Sequence, residues 1–373
     1  MTNILQATAP LIDDPIIALF AGCGGLDLGF SQAGFKIIWA NEYDKTIWDT
    51  YLFNHQETQL DRRDINQIRS DEIPDCLGII GGPPCQSWSE AGAKRGIHDR
   101  RGQLFYEYIR IVQDKQPLFF LAENVSGILA PRHKPAFETI LAQFQEIGYQ
   151  ISYQLLNAKN FEVPQDRERV IIVGYHQKMG KVFEFPQPSS QIFTLREAIG
   201  DLELKAPLQV REKVENLNRI VPNHEYLESG FSSIYMSRNR VRSWSEPSFT
   251  IQAGGRHAPL HPQANKMILV GKDRRIFDPN SPKPYRRLSV RECARIQTFP
   301  DDFIFKYQKI SDGYKMVGNA VPVKLARILA SKILADLQAI QASIPQDRRE
   351  WKPIPEISNN HSRVGILSTV PTN

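Results

Sequence analysis

The stretch that most constrains this chain is residues 77–89, which read Leu-Gly-Ile-Ile-Gly-Gly-Pro-Pro-Cys-Gln-Ser-Trp-Ser. The apolar start, from Leu77 to Ile80, predicts a short buried strand. The Gly-Gly-Pro-Pro that follows ends any strand or helix, because proline lacks an N–H group and fixes its own backbone. Cys85 comes directly after the second proline. A thiol on a stiff loop at a strand end is a typical position for a nucleophile in an α/β protein; a small buried filler is the alternative.

Length, composition and charge exclude several classes of protein. The 373 residues, 41% of them hydrophobic, are enough for about two domains with full cores. No apolar run approaches the ~20 residues of a membrane span, and the N-terminus lacks the pattern of a secretory signal. The four cysteines form no C-x-x-C pair, which argues against a zinc site or a disulfide framework. We therefore expect a reduced, cytoplasmic protein without a bound metal.

Positive charge is concentrated in one part of the sequence. The chain carries +5 overall, but residues 231–295 hold thirteen Lys and Arg against four Asp and Glu, a net charge of +9. The rest of the chain is acidic, with a net charge of −4. Such a segment favours a polyanionic partner, with an ordinary solvated basic face as the alternative.

A motif near the N-terminus is typical of a cofactor cradle. A buried strand at 16–20 leads into Ala-Gly-Cys-Gly-Gly at 21–25, and a short helix at 26–33 follows. Glycines let the backbone approach a ligand, and the first turn of a helix offers free N–H groups. A second strand at 35–40 ends near Glu42, where an acidic residue suits the two hydroxyls of a ribose.

The glycine loop departs from the dinucleotide pattern G-x-G-x-x-G, because Asp27 occupies the position of the third glycine. That glycine allows close packing beside a pyrophosphate, so its absence argues against a nicotinamide dehydrogenase. A nucleoside cofactor without phosphates, such as S-adenosylmethionine, remains compatible. Asp64 precedes the Cys85 strand and is placed to accept a hydrogen bond from an adenine amino group, with a helix cap as the alternative.

Two further segments carry candidate site residues. An amphipathic helix at 104–114 precedes a buried strand at 118–121, which delivers Glu123 at its end. Because glutamate is rarely buried without a partner and this strand end should lie beside that of Cys85, we interpret Glu123 as functional; a solvent-facing glutamate is the alternative. After a helix (135–148) and a strand (150–158), a period of two places three residues on one face, where two arginines can hold a phosphate or a carbonyl oxygen: Gln165, Arg167 and Arg169.

The alternation of strand and helix breaks near Gly180, where proline-rich irregular sequence begins. We predict an α/β fold with a doubly wound, mostly parallel sheet and a smaller irregular domain. Residues 1–180 and 288–343 are the first and second parts of the larger domain, residues 181–287 the irregular domain and residues 344–373 a disordered tail. Ser289 is predicted to cap a helix at 290–296, residues 317–322 to form a tight turn, and Pro322 to start a helix at 323–340. The irregular domain contains side chains of the kind that read base edges in a groove: Arg238, Arg240, Arg242, Gln252, Arg256 and His257.

These motifs, in this order, resemble those of the DNA cytosine-5 methyltransferases. The matching blocks are Phe-Ala-Gly-Cys-Gly-Gly at 20–25, Gly-Pro-Pro-Cys-Gln at 82–86, Glu-Asn-Val at 123–125, Gln-x-Arg-x-Arg at 165–169, Arg-Glu-Cys-Ala-Arg at 291–295 and Gly-Asn at 318–319. The variable region at 236–264 looks like that of the HaeIII-type modification enzymes, which methylate the inner cytosine of GGCC. The resemblance implies a Rossmann-like, S-adenosylmethionine-dependent fold in which 181–287 is the target-recognition domain.

The resemblance also implies individual roles. Cys85 would be the nucleophile, Glu123 would hold the cytosine N3 and amino edge, and Arg169 would contact the base carbonyl, with Arg167 nearby. Cys23 departs from the family, which often has alanine or leucine at this position; it is small enough for the loop, and we expect it to be a second alkylation-sensitive thiol. The cofactor site would be lined by Phe20, Gly22, Gly24, Glu42, Asp64, Ile65, Pro84, Leu104 and Asn319.

The expected substrate is double-stranded DNA, from which the target base must be swung out. We expect a monomer that serves as the modification arm of a restriction–modification system, with a cognate endonuclease acting on the same site. One alternative is an RNA cytosine methyltransferase, against which the long basic region stands. Another is a catalytically inactive DNA-binding module, against which the intact set of Cys85, Glu123 and Arg169 argues.

Overall fold

The computed structural model of the chain describes residues 14–84, 103–202, 207–214 and 221–343. The predicted nucleophile, Cys85, and the predicted tail at 344–373 lie outside the described residues. Within the described ranges, none of the helices combines the length and apolar character needed to cross a membrane.

Within the described ranges, a seven-stranded sheet forms the centre of the molecule. Its strands are β1 (Ile16–Leu19), β2 (Ile37–Asn41), β3 (Gln59–Asp61), β4 (Gly78–Gly81), β5 (Phe119–Val125), β6 (Tyr149–Asn157) and, after the short β7 (Gln165–Asp166), β8 (Glu168–His176). The order across the sheet is β3-β2-β1-β4-β5-β8-β6. The first five strands run parallel, β8 is antiparallel to β5, and β6 is antiparallel to β8. The reversal of order at β1 and β4 is the pattern of a doubly wound sheet.

Helices cover both faces of this sheet, α1 and α8 on one face and α3 and α4 on the other. The helices of the described residues are α1 (Gly25–Ala33), α2 (Trp48–Asn54), α3 (Gln103–Lys115), α4 (Lys134–Glu146), α5 (Leu195–Ile199), α6 (Val290–Ile296), α7 (Ile310–Asn319) and α8 (Val323–Ser343). Alternate residues of β1 enter opposite cores, because strand side chains alternate between faces. Ile16 packs in the core shared with α1 and α8, whereas Ile17 packs in the core shared with α3 and α4. Both faces are therefore buried, as predicted for an α/β protein.

In the described part of the irregular region beyond residue 180, the strands are short, with two to four residues each. They are β9 (Leu208–Val210), β10 (Glu225–Leu227), β11 (Ser248–Phe249), β12 (Ile268–Gly271) and β13 (Arg274–Ile276). Apolar residues of this region, such as Leu227 and Ile251, share one core with Cys293 of α6 and Met316 of α7. A smaller core gathers Tyr235, Val241, Leu260 and Met267. The region is thus packed directly onto the helices that follow it.

Two local predictions differ from the structure. Glu123 lies inside β5, where each residue from Phe119 to Asn124 is buried, and not after the strand. The predicted tight turn at 317–322 is wrong in its first half, because α7 continues to Asn319. Residue 318 must be glycine although it lies in a helix, because a side chain there would place Cβ 2.3 Å from the carbonyl carbon of Gln252. The glycine therefore permits a close approach of two backbones.

Candidate active site

A cavity of about 650 Å³ opens at the carboxyl ends of β1, β2, β4 and β5. Open α/β sheets bind their ligands at this edge, and the volume is that of an ordinary ligand pocket. The predicted site residues that line it are Phe20, Gly22, Glu42, Asp64, Ile65, Pro84, Leu104, Glu123, Arg169 and Asn319. The cavity thus brings together the predicted cofactor residues and two of the predicted catalytic residues.

Gly24 supports the cavity wall without lining it. It caps the N-terminus of α1 with a φ of 86°, in the left-handed region. A Cβ atom on Gly24 would lie 2.0 Å from Nε2 of His55, so the imidazole ring occupies the space of a side chain. Both the backbone conformation and the packing therefore require glycine at this position.

Glu42 holds the glycine loop against the end of β2. Its Oε2 accepts a hydrogen bond from the Gly22 N–H at 2.9 Å, and its Oε1 accepts one from the Asp44 N–H at 2.7 Å. Burial raises the pKa of the Glu42 carboxyl above its ordinary value. Because a carboxylate oxygen has two acceptor positions, each oxygen can still accept a ribose hydroxyl.

Asp27, singled out in the sequence as a replaced glycine, has a role of its own. It is buried on α1, and its Oδ2 accepts a hydrogen bond of 2.6 Å from the Tyr51 hydroxyl. Its Oδ1 is buried without a hydrogen-bond partner in the described structure. Burial raises the pKa of Asp27 to about 7. The sequence signal was an acidic residue in the buried first turn of an apolar helix.

The charges around the cavity fit a cofactor without phosphates. Among the described lining residues, Arg169 is the single arginine or lysine. The acidic lining residues are Asp27, Glu42, Asp44, Asp64 and Glu123. Such a wall disfavours a pyrophosphate and suits a neutral ribose and a sulfonium cation.

Asp64 also caps the short 3₁₀ turn Ile65–Gln67, because its side chain accepts a hydrogen bond from the Asn66 N–H at 3.1 Å. The helix cap that was the alternative role for Asp64 is therefore present.

An ion pair joins the two predicted catalytic residues. Nε of Arg169 lies 2.7 Å from Oε1 of Glu123, and Glu123 is 8% exposed. In the antiparallel pairing of β5 and β8, Arg169 is opposite Val125, which places Glu123 diagonally across on the same face. The neighbouring strands therefore fix the acid and the arginine as one unit.

The loop that leads to Cys85 is attached to this unit. Nδ2 of Asn124 donates a hydrogen bond of 3.2 Å to the carbonyl oxygen of Pro83. A Cβ atom on Gly82 would lie 3.5 Å from Oε2 of Glu123, so the loop passes directly beside the acid. Pro84, the last residue described before Cys85, lines the same cavity.

Arg167 does not join the cavity, which corrects its predicted place beside Arg169. Its side chain is 1% exposed and donates hydrogen bonds of 3.0 Å to the carbonyl oxygens of Ile251, Gly318 and Ala320. The period-two prediction failed because residue 167 lies between two strands, β7 and β8, where the regular alternation is interrupted.

The three described cysteines are buried. Sγ of Cys23 lies 3.5 Å from the carbonyl oxygen of Met316, and burial raises its pKa to about 12. Burial raises the pKa of Cys76 to about 12 as well and that of Cys293 well above its ordinary value. Since the thiolate is the reactive form, the prediction that Cys23 is alkylation-sensitive is corrected.

The predicted DNA-reading residues fall into two groups. Arg238, Gln252, Arg256 and His257 are exposed. Arg240 and Arg242 are half-buried and partly engaged. The guanidinium of Arg240 lies 4.7 Å from the Tyr235 ring centre, and that of Arg242 pairs with Glu246 at 3.1 Å and lies 4.1 Å from the Phe249 ring centre.

Other arginines of the basic segment bind inside the protein. Arg286 pairs with the buried Glu292 at 2.8 Å, and Arg287 and Arg291 donate to backbone carbonyl oxygens. The segment therefore offers a partner less positive charge than its composition indicates.

The fold and the cavity are those of an S-adenosylmethionine-dependent methyltransferase. The sheet is doubly wound, the glycine loop is followed by an acid that can bind a ribose, and the acidic cavity wall disfavours phosphate groups. Residues 15–335 match the family model of the C-5 cytosine-specific DNA methylases, and the chain belongs to that family. It is an enzyme, a type II C-5 cytosine DNA methyltransferase of the restriction–modification kind that uses S-adenosylmethionine.

Relatives support this assignment over nearly the whole chain. The type II methyltransferase M.MthTI of Methanothermobacter thermautotrophicus is 58% identical over 325 residues, which cover 87% of this chain and 98% of the relative. M.NgoPII of Neisseria gonorrhoeae is 50% identical over 341 residues, covering 90% and 100%. Among solved structures, the methyltransferase EhMeth of Entamoeba histolytica superposes with a TM-score of 0.64 at 16% identity, covering 87% of this chain and 98% of that one. The last similarity concerns the fold.

Proposed function

We propose that this enzyme methylates carbon 5 of the inner cytosine of GGCC in double-stranded DNA through a covalent bond between Cys85 and carbon 6. The observation that carries the proposal is the position of the Gly82–Pro84 loop, which is hydrogen-bonded to Asn124 and passes beside Glu123 at the cavity. This loop passes beside an acid that is paired with Arg169, and Cys85 is the next residue in the sequence after Pro84.

The thiol is needed because carbon 5 of cytosine is a poor nucleophile. Addition of the Cys85 thiolate to carbon 6 converts the ring into an enamine that can attack from carbon 5. S-adenosylmethionine supplies, when bound, an electrophilic methyl group on its sulfonium. Loss of the carbon 5 proton to solvent, with return of the N3 proton to Glu123, then restores the aromatic ring and expels Cys85 as a thiolate.

Glu123 and Arg169 would stabilise the charge that this addition creates. A proton donated by Glu123 to N3 neutralises the ring as the thiolate adds. Arg169 donates to the base carbonyl, where negative charge also develops. Because β5 and β8 hold both side chains in place, little reorganisation is required when the base enters.

The remaining lining residues would hold the cofactor. Glu42 receives the ribose hydroxyls and Asp64 the adenine amino group, while the Gly22 loop and Asn319 form the wall around them. Gly24 acts indirectly by shaping that loop.

Residues 181–287 would form the target-recognition domain, between the two parts of the catalytic domain. Its exposed side chains Arg238, Gln252, Arg256 and His257 are the proposed base readers, with Arg240 and Arg242 beside them. The resemblance of residues 236–264 to the HaeIII-type enzymes supports GGCC as the site. The target base must leave the duplex to reach the cavity, at a cost of a few kcal/mol. A cognate endonuclease acting on GGCC would be the companion of this enzyme.

Mapping methylated cytosines tests the proposal. Plasmid DNA incubated with the enzyme and S-adenosylmethionine, then sequenced after bisulfite conversion, should carry 5-methylcytosine at the inner cytosine of GGCC. It should also resist a nuclease that cuts unmethylated GGCC. Methylation at another sequence would refute the site, and transfer of a radiolabelled methyl group to tRNA in place of DNA would refute the substrate.

A further inference from the structure

Two buried side chains, Gln165 on β7 and Arg167 between β7 and β8, connect segments that the proposed function uses for different tasks. Arg167 donates to the carbonyl oxygens of Ile251, Gly318 and Ala320. These acceptors come from the irregular region, from the end of α7 and from the connection to α8. One guanidinium group therefore ties residue 251 and residues 318–320 to the start of β8.

Gln165 holds the same residue, Ile251, through its N–H group. Its Oε1 accepts a hydrogen bond of 2.9 Å from the Ile251 N–H, and its Nε2 donates one of 2.8 Å to Oε1 of Gln297. Gln297 in turn donates to the carbonyl oxygens of Val317 and Ala320, at 2.8 and 3.2 Å. Ile251 is thus fixed at both its N–H and its carbonyl group by fully buried side chains.

The contact between residues 250–252 and 318–320, here called the junction, is closely packed. The Gln252 backbone lies so close to Gly318 that a Cβ atom there would be 2.3 Å from its carbonyl carbon. Strand β11 pairs with β7, and the Thr250 hydroxyl donates to the Asp166 carbonyl oxygen at 2.6 Å. A displacement of residues 250–252 must therefore move the end of α7 or the start of β8.

Each anchored residue adjoins a site residue. Gln252, a proposed base reader, follows Ile251; Asn319, a cavity residue, lies between Gly318 and Ala320; and Arg169 is two residues beyond Arg167. We propose that Gln165 and Arg167 are positioning residues that couple DNA reading at Gln252 to the cofactor wall at Asn319 and to the base pocket at Arg169. This inference rests on the proposed function and deepens it.

Coupling of this kind is measurable as a free energy between two ligands. If DNA and the cofactor stabilise the same arrangement of the junction, each ligand raises the affinity of the enzyme for the other by the same factor. The factor is the ratio of DNA dissociation constants without and with S-adenosylhomocysteine, the demethylated cofactor, which binds without reacting.

The test compares two conservative variants of buried arginines. Arg167→Lys keeps the charge but cannot donate to three carbonyl oxygens in fixed directions. Arg291→Lys is the matched control, because Arg291 is 0% exposed and donates to the carbonyl oxygens of Pro222, Pro300 and Phe303, away from the cavity. Urea unfolding of both variants measures the loss of stability that each replacement causes.

Fluorescence of a duplex carrying 2-aminopurine in place of the target cytosine at the mapped site reports DNA binding and base extrusion at fixed salt. We expect the wild type and Arg291→Lys to show a coupling factor of about fivefold or more. Arg167→Lys should show a factor below about twofold and a weaker 2-aminopurine signal at saturating DNA.

The inference would be overturned if the wild type and Arg167→Lys had equal coupling factors. It would also be overturned if Arg167→Lys and Arg291→Lys lost coupling equally, or if the wild type showed no coupling. A wild-type protein that fails to methylate the mapped duplex would instead contradict the proposed function.

Discussion

At the scale of single residues, the pairing of Glu123 with Arg169 gives the acid a defined partner and orientation. Replacement of Glu123 by glutamine keeps the shape of the side chain but removes the carboxyl group that would transfer the proton. We predict that Glu123→Gln lowers kcat by about 10²-fold or more, in the range of lost general acid catalysis, and changes S-adenosylmethionine affinity by less than about twofold.

Single-turnover methylation and isothermal titration calorimetry measure these two quantities. Glu107→Gln is the matched control, since Glu107 pairs with Arg110 at 2.8 Å along α3. If Glu123→Gln retained the rate of this control, Glu123 would have no part in proton transfer.

Asp27 makes a prediction about pH. Its folded-state pKa of about 7 lies above the ordinary value of 3.8, so between these values the folded protein retains a proton that the unfolded chain releases. The free energy of unfolding should therefore fall as pH rises from 4 to 7, by up to about 4 kcal/mol, and stay reduced above that window. Asp27→Asn keeps an acceptor for Tyr51 and should remove this contribution.

Urea unfolding at pH 5 and pH 8 checks the sign. The difference between the two pH values should shrink in Asp27→Asn and persist in Asp49→Asn, a replacement of an exposed acid on α2. A pH dependence in Asp27→Asn as steep as that of the wild type would show that Asp27 does not titrate in this range.

At the scale of secondary-structure elements, the glycine loop and α1 depend on the space that His55 fills. Gly24→Ala would place Cβ inside the imidazole ring and strain a left-handed backbone. Gly180→Ala is the matched control, because Gly180 has a φ of +60° and no atoms within 4 Å of the added Cβ. We predict a loss of ~1–2 kcal/mol in stability for Gly180→Ala and a clearly larger loss for Gly24→Ala.

Urea unfolding gives the stabilities, and calorimetry should show weaker S-adenosylmethionine binding in Gly24→Ala alone. Equal stability losses in the two variants would mean that His55 moves aside without cost.

Periodicity and capping residues were sufficient to predict most elements. Helices α1, α3, α4, α6 and α8 were predicted within a few residues, and Ser289 caps α6 as expected. The strands that run into the cavity were predicted from short apolar runs. These elements depend on local signals, which a sequence contains.

The failures have a common physical cause. Gly318 looked like a turn residue because its reason for being glycine is the backbone of Gln252, which is distant in sequence. Arg167 looked like a partner of Arg169, but its three acceptors lie 84 to 153 positions away. Long-range contacts of this kind leave no periodic signal in the chain.

At the scale of the whole molecule, the positive charge of residues 231–295 divides between internal and external use. Arg286, Arg287 and Arg291 bind within the fold, whereas Arg256 is exposed. Composition alone does not separate the two groups, because only the folded chain shows which arginines have internal partners.

We predict that Arg256→Ala weakens DNA binding and reduces the slope of log affinity against log salt by about one, the loss of one phosphate contact. S-adenosylmethionine affinity should not change. Lys36→Ala serves as the control, because Lys36 is exposed before β2, at the amino end of the parallel strands and opposite the cavity. An unchanged salt slope in Arg256→Ala would count against this face as the DNA surface.

The central claim is that Cys85 and Glu123 act on one extruded cytosine. A GGCC duplex with 5-fluorocytosine at the target position tests it, because fluorine cannot leave carbon 5 as a proton does and the covalent adduct persists. In the presence of S-adenosylmethionine, mass spectrometry of the digested complex should find the base on the peptide that contains Cys85. The adduct should be absent in Cys85→Ser and present in Cys76→Ser. An adduct on another residue, or none while ordinary GGCC is still methylated, would contradict the account.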